Sequence, residues 1–384
     1  MPRPFPLVAV IAGVVALFVS APGAQQPRTP TADALRSPIE RALGAAPRNY
    51  QRLLSPQQSG VRLLGVQVRA TPETLTIAID LSQRALTYDP AGNIEPLLDQ
   101  IIQATASAVG PAPLVDYRFT IDGLPLEQFL PRPAARRAAV GPGLVQGRPL
   151  AEGGTVLVSP GHGWYWDETL GYWHLQRPRV RGIVEDLVNW DIARYVRDEL
   201  LAANISVQMT RYAEREDAAG PSGNPRWQEA AKYFIQGLGA PPEVWNFGVD
   251  DYARDINSRP FYANWIDASA VLAIHNNGGE ETGTETWYDA TNGQQDESRR
   301  LAEIVNRHVV SAIRTRYNAG WVDRGLRTCD GCKGENRLAS RPAVIVEIAY
   351  MDTPAPDNDA LHDDAFKRIV AQALREAVQE WAQR

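Results

Sequence analysis

Four short segments hold the residue types from which a metal-dependent hydrolase can be assembled. They are Ser159-Pro160-Gly161-His162-Gly163, Glu185, Ile274-His275-Asn276-Asn277, and Val344-Ile345-Val346-Glu347. Two imidazoles and a carboxylate, from His162, Glu185 and His275, are ligands that zinc favours, and a catalytic zinc site keeps a fourth position open for water. Glu347 then reads as the base that takes a proton from that water. The role is eased when apolar neighbours lift a carboxylate's pKa toward neutrality, and Val344, Ile345, Val346 and Ile348 surround it in sequence. Gly161 and Gly163 beside His162 signal either backbone conformations that other residues avoid or a group packed close to the loop. A single His at a strand end is commonly an ordinary core or surface residue, so the weight rests on the set. His174, His308 and His362 lack such settings.

These side chains need a scaffold that makes them converge. His162 follows the apolar strand at 156–158, His275 ends a strand at 270–274, and Glu347 lies late in a strand at 343–349. Further strands are expected at 205–210 and 284–288, and helices at 182–203, 254–266, 295–317 and 360–381. Apolar strands alternating with helices imply an α/β fold, a mixed or parallel sheet flanked by helices on both faces. Sites in such sheets lie at strand carboxyl ends. If the three strands are neighbours, His162, His275 and Glu347 meet at one edge, and Glu185 joins them from the helix after the first strand.

The rest of the chain reads as preparation for this unit. Arg3, the apolar run 7–19 and the small residues Ser20, Ala21, Gly23 and Ala24 have the layout of a secretory signal peptide, 1–24. Residues 25–59, rich in Pro, Gln, Arg and Ala, suggest a flexible tether with one helical turn. Residues 60–131 combine strands at 61–68, 75–80 and 115–121 with a helix at 94–108, a small α+β domain. Residues 132–154 read as a linker, and the catalytic unit runs over 155–384. A net charge of −6 and the absence of a basic run argue against nucleic acid, while 44% apolar residues suffice for sizeable cores. No later segment looks transmembrane, so no stable membrane insertion is expected once the signal is removed. In an oxidising compartment Cys329 and Cys332 are best read as a loop disulfide, although half of a zinc-ribbon site or a redox pair would look the same locally.

Taken in order, Ser159-Pro-Gly-His162-Gly, Glu185 with Asn189, Met209-Thr210-Arg211, Arg259 with Ala263-Asn264, Ile274-His275-Asn276-Asn277 and Val346-Glu347 resemble the zinc-dependent N-acetylmuramoyl-L-alanine amidases of the cell-wall hydrolase type. The resemblance implies one Zn2+ per chain, held by His162, Glu185 and His275, with Glu347 as catalytic base. It also implies a peptidoglycan substrate, cleaved between N-acetylmuramic acid and L-alanine, a place in the cell envelope or outside the cell, and scope for a protein activator. Residues 60–131 loosely resemble the germination-protein (GerMN-type) module through Ile79-Asp80-Leu81-Ser82 and Phe119-Thr120-Ile121-Asp122-Gly123, which implies an accessory without chemistry.

The match has departures. Ser159 stands where the family usually has Asp, so a hydroxyl is expected to take over if that Asp steadies a metal ligand, and Asn276 replaces a small residue. The segments from His162 to Glu185 and from Arg211 to Arg259 are long and aromatic. Trp164 and Trp166 are candidates for a glycan-binding wall, together with Asn276, Asn277 and Arg337 as substrate contacts, while Trp227 and Trp245 read as cores of inserted loops. Arg254 and Arg259 could meet stem-peptide carboxylates, Arg259 more readily serving its own helix. Two rival readings remain: an inactive or weakly active wall-binding regulator on the same fold, and a zinc peptidase cutting another bond of the stem peptide.

Overall fold

Residues 29–45, 60–87, 93–130 and 153–383 are described by the computed structural model, so the signal segment 1–24 and the linker up to residue 152 lie outside the described residues. The stretch expected to be a tether contains a full helix, α1 (Ala32–Leu43), which begins at Thr31, whose hydroxyl accepts from Ala34 N at 3.2 Å. Leu35, Ile39 and Leu43 recur at helical spacing and are buried, so this part of 25–59 is packed structure.

Alternation of apolar residues produces β1 (Leu63–Ala70) and β2 (Leu75–Leu81), followed by α2 (Glu95–Val109), β3 (Leu114–Ile121) and the two-residue β4 (Leu124–Pro125). Leu97, Leu98 and Ile101 of α2 pack with Ile77, Ile79, Tyr117 and Phe119 in one core. The second half opens with β5 (Thr155–Pro160), a hairpin of β6 (Trp164–Asp167) and β7 (Tyr172–Leu175), a smaller pair of β8 (Arg179–Val180) and β9 (Ile183–Val184), then α3 (Glu185–Ala202) and β10 (Ser206–Met209). The long insertion carries α4 (Ala231–Gly237), α5 (Pro242–Trp245) and α6 (Asp251–Trp265). After these come β11 (Ala270–Asn277), β12 (Thr284–Tyr288), α7 (Gln295–Arg316), β13 (Asp323–Cys329), α8 (Gly334–Arg337), β14 (Ala343–Tyr350), α9 (Asp359–His362) and α10 (Asp364–Ala382).

One ten-stranded, mixed sheet runs through the whole molecule in the order β1-β2-β3-β13-β12-β14-β11-β5-β10, with β4 beside β3. The small α+β unit is therefore not set apart from the catalytic unit, because β3 pairs in parallel with β13, Leu114 opposite Leu326. The pleat sorts the central strands' side chains onto two faces. Val156, Val158, Leu272, Ile274, Val344 and Val346 point to the core with α3, α7 and α10. Leu157 and Val271 face α4, α5 and α6, while Ala273, Trp287 and Ile345 face the core containing α2. Burial on both faces explains why these strands read as unbroken apolar runs.

Candidate metal centre

β14, β11 and β5 are adjacent and parallel in the half of the sheet that ends at β10, with Ile274 opposite Pro160 and His275 opposite Glu347. Their carboxyl ends bring His162, His275 and Glu347 to one edge. Glu185, the first residue of α3, enters the same space. His162 adopts a positive φ of 66°, and the glycines beside it answer two different demands. A Cβ on Gly161 would collide with the His275 ring, and one on Gly163 with the backbone of Ala230.

Glu185 Oε1 lies 3.1 Å from His162 Nε2 and 3.3 Å from His275 Nδ1. The ligand atoms of the three residues fall within 4.8 Å of one another, and the imidazoles meet edge to face with centroids 4.8 Å apart. Each imidazole is held at its other nitrogen. His162 Nδ1 is 2.9 Å from Gln176 Oε1, and Gln176 Nε2 donates to Asp255 Oδ2 at 2.8 Å. His275 Nε2 is 3.0 Å from Glu335 Oε2, and Glu335 is ion-paired with the buried Arg259, which also meets Asp255 at 2.5 Å. Orientation of metal-binding histidines by such partners is a general feature of metal sites. Asp186 ties down the loops, accepting from Gly163 N and Gln176 N at 2.8 Å and from Arg177 N at 3.1 Å.

The centre is buried, with His162, Glu185, His275 and Glu347 exposed by 4%, 3%, 9% and 8%. Burial, with Arg177 nearby, pushes His162 down to about 4, which keeps its ring neutral as a metal requires. Burial works against a charged His275 too, yet Glu335 and Glu185 outweigh it and raise that ring to about 10. Burial lifts Glu347 to about 8 despite the nearby His275. Glu185, Glu335 and Glu347 thus crowd one dry space. Glu347 Oε2 and Asn276 Oδ1 are among the buried polar atoms without a hydrogen-bond partner in the described residues. Two oriented imidazoles with a carboxylate oxygen between them, and an unpartnered carboxylate oxygen nearby, fit a divalent cation such as zinc and a polar reactant beside it.

Asn276 and Asn277 line the cavity over these groups, Asn276 donating to Asn189 and Asn277 to Glu285. Trp164, Trp166 and Arg337 are not brought to it. Trp164 is engaged with Gln228 at 3.2 Å, and Trp166 stacks edgewise on Trp173 because both belong to the β6–β7 hairpin, which packs on Tyr233. Trp227 is a core residue against Trp190, and Arg254 pairs with Glu168. The Ser159 hydroxyl accepts from Thr210, and the side chain that contacts His162 Nδ1 is Gln176. Cys329 and Cys332 are bridged, ahead of the segment carrying Lys333 and Glu335.

The largest departure from expectation comes from the stretch predicted to hold no chemistry. Glu95, Asp99, Ile102 and Gln103 of α2 line the same cavity as the candidate ligands. Their 4-residue steps from 95 to 99 to 103 put one polar stripe on a single helix face, a pattern visible in sequence. Nothing in the sequence said which surface it would cover.

The family model described as N-acetylmuramoyl-L-alanine amidase matches residues 156–380. No curated protein matches the chain. Among solved structures, the N-acetylmuramoyl-L-alanine amidase AmiC2 of Nostoc punctiforme is 21% identical with a TM-score of 0.39, over 60% of this chain and 97% of that one. Ami1 of Mycobacterium smegmatis is 17% identical with a TM-score of 0.41, over 60% and 97%. The catalytic domain of CwlV from Bacillus (Paenibacillus) polymyxa var. colistinus is 19% identical with a TM-score of 0.39, over 59% and 97%.

Proposed function

Because the chain belongs to the N-acetylmuramoyl-L-alanine amidase family, we propose that it uses one zinc ion to hydrolyse the amide between the lactyl group of N-acetylmuramic acid and the L-alanine of the peptidoglycan stem peptide. The observation that carries this reading is the convergence of His162 Nε2, Glu185 Oε1 and His275 Nδ1 beside the unpartnered Glu347 Oε2. Those three atoms would hold the ion. Zinc bound there supplies Lewis-acid polarisation of the scissile carbonyl and acidifies a water toward a pKa of ~7.

The protein's own groups supply the rest. Gln176 and Glu335 fix the ring orientations, so that His162 presents Nε2 and His275 presents Nδ1. Glu347 Oε2, with no other hydrogen bond to satisfy, accepts the water's proton and passes it to the leaving amine nitrogen of L-alanine. Asn276 and Asn277 offer polar contacts at the rim. We place the enzyme in the cell envelope or outside the cell, on the reading of residues 1–24; no helix among the described residues is long and apolar enough to cross a membrane.

Digestion of purified peptidoglycan, with and without chelator and zinc add-back, tests this. The expected products are stem peptides with a free L-alanine amine and peptide-free glycan strands, released only with zinc. Cleavage elsewhere in the peptide would establish the peptidase instead, and intact wall with stoichiometric bound zinc would favour a binding protein.

A further inference from the structure

α2 presents two faces. Leu97, Leu98 and Ile101 are locked in the core with β2 and β3, while Glu95, Asp99 and Gln103 look into the cleft. Asp99 makes an ion pair with Lys333, their side chains only 10% and 15% exposed. Both carboxylate oxygens of Glu95 lie 3.3 Å from Gly334 N, and the Gln103 carbonyl lies against Gly279, where a Cβ would stand 3.2 Å from it. With the helix in this position the cavity over the candidate ligands is about 60 Å3. Pockets that enclose a drug-sized ligand occupy roughly 300–1,000 Å3. Glu95, Asp99, Ile102 and Gln103 form part of that cavity's wall, so a muramoyl peptide must be received against α2.

Lys333 sits two residues from Glu335, over the Trp287 ring at 5.1 Å, on the loop anchored by the Cys329–Cys332 bridge. It is the lysine lining this acidic cavity, and its present partner comes from outside the matched catalytic region, 156–380. We propose that Lys333 is a carboxylate-binding subsite for the peptide arm of the substrate, and that Asp99 is its internal occupant. The identity of the peptide rests on the amidase reading; the carboxylate subsite does not. Substrate binding exchanges one carboxylate for another on the same ammonium group. The apparent affinity for the peptide is lowered by the fraction of time Asp99 holds the site.

The test titrates the full-length zinc-loaded protein with two probes, succinate and a synthetic stem peptide that begins with L-alanine and carries a free carboxylate on its second residue. Asp99→Asn is expected to bind both about tenfold more tightly than wild type, by removal of the occupant. Lys333→Gln is expected to lose that binding, alone and when combined with Asp99→Asn. Lys333→Arg keeps the charge and is expected to retain binding, which separates loss of the subsite from loss of the fold. Equal affinities of wild type and Asp99→Asn for succinate, or undiminished binding by Lys333→Gln, overturn the proposal. If Asp99→Asn gains affinity for succinate but not for the stem peptide, the subsite stands and the amidase reading of its ligand falls.

Discussion

Replacing Glu335 with Gln probes how the centre is held together. The carboxylate receives the Nε2 side of His275 at 3.0 Å and is paired to Arg259, all in a buried setting. A charged hydrogen bond of this kind contributes about 1.5–3 kcal/mol. At 1.4 kcal/mol per tenfold, its loss corresponds to zinc affinity weakened by roughly 10- to 150-fold. Gln preserves volume and can still accept through its carbonyl oxygen, so the lower half of that range is expected, whereas Ala belongs at the upper end. Arg259 keeps Asp255 at 2.5 Å, which limits the damage to the fold. Glu335 also holds His275 protonated without metal, so the variant expels that proton more easily; competition against a chromophoric chelator is therefore measured across pH and the proton-release contribution subtracted for each protein, with the melting temperature of the metal-free protein as control. An affinity within twofold of wild type, in a variant that melts normally, would refute the idea that Glu335 orients His275 for the metal.

Glu347→Gln is expected to bind zinc normally and lose about 10²- to 10⁴-fold in turnover, measured as peptide release from peptidoglycan. Because burial raises Glu347 to about 8 in the folded protein, holding its proton while the unfolded chain ionises costs metal-free stability, and the cost grows as pH rises from the ordinary carboxylate value to 8. The same variant should therefore melt no lower than wild type at pH 7, and a lower melting temperature contradicts the assignment. Zinc binding at pH 7.5 should expel about one proton from His275, held up to about 10 without metal, plus a fraction from Glu347. Calorimetry in buffers of different ionisation enthalpy counts those protons, and a count of zero removes the basis for the charged His275. Cys329→Ser with Cys332→Ser opens a short loop and should cost about 2 kcal/mol by chain entropy, read by denaturant unfolding. It should weaken zinc binding as well, since Glu335 follows on the same segment; unchanged affinity would show that Arg259, Asp99 and Glu95 hold that segment without the bridge.

Much of the centre was legible because its residues sit where local sequence announces them. His275 closes an unbroken apolar strand, Glu347 lies inside another, and the glycines around His162 betray the approach of a second group. The partners behind the candidate ligands were not legible. Gln176 stands 14 residues from His162 and Glu335 stands 60 from His275, so only tertiary folding joins them. β13 carries no clear strand signal for a related reason. Its Arg324 and Arg327 make it look like a surface loop, yet both are buried against Glu285 of the neighbouring strand. Compensated charge inside a sheet defeats any reading based on polarity. α1 is a weak signal: Leu35, Ile39 and Leu43 keep helical spacing, but Pro38 and the polar surroundings mask it.

The continuity of the sheet bears on how the polypeptide is made. β3 emerges from the ribosome long before its neighbour, since Leu114 pairs with Leu326, 326 − 114 = 212 positions later. Until β13 arrives, the amino-terminal unit presents an unfilled strand edge, a template for pairing with the wrong chain. Closing a loop of that length delays the reward for folding and slows the search. The pairing of β13 both fills that edge and carries the bridged loop to the cleft. Completion of the sheet and of the cleft's wall at Lys333 and Glu335 therefore depend on the same strand.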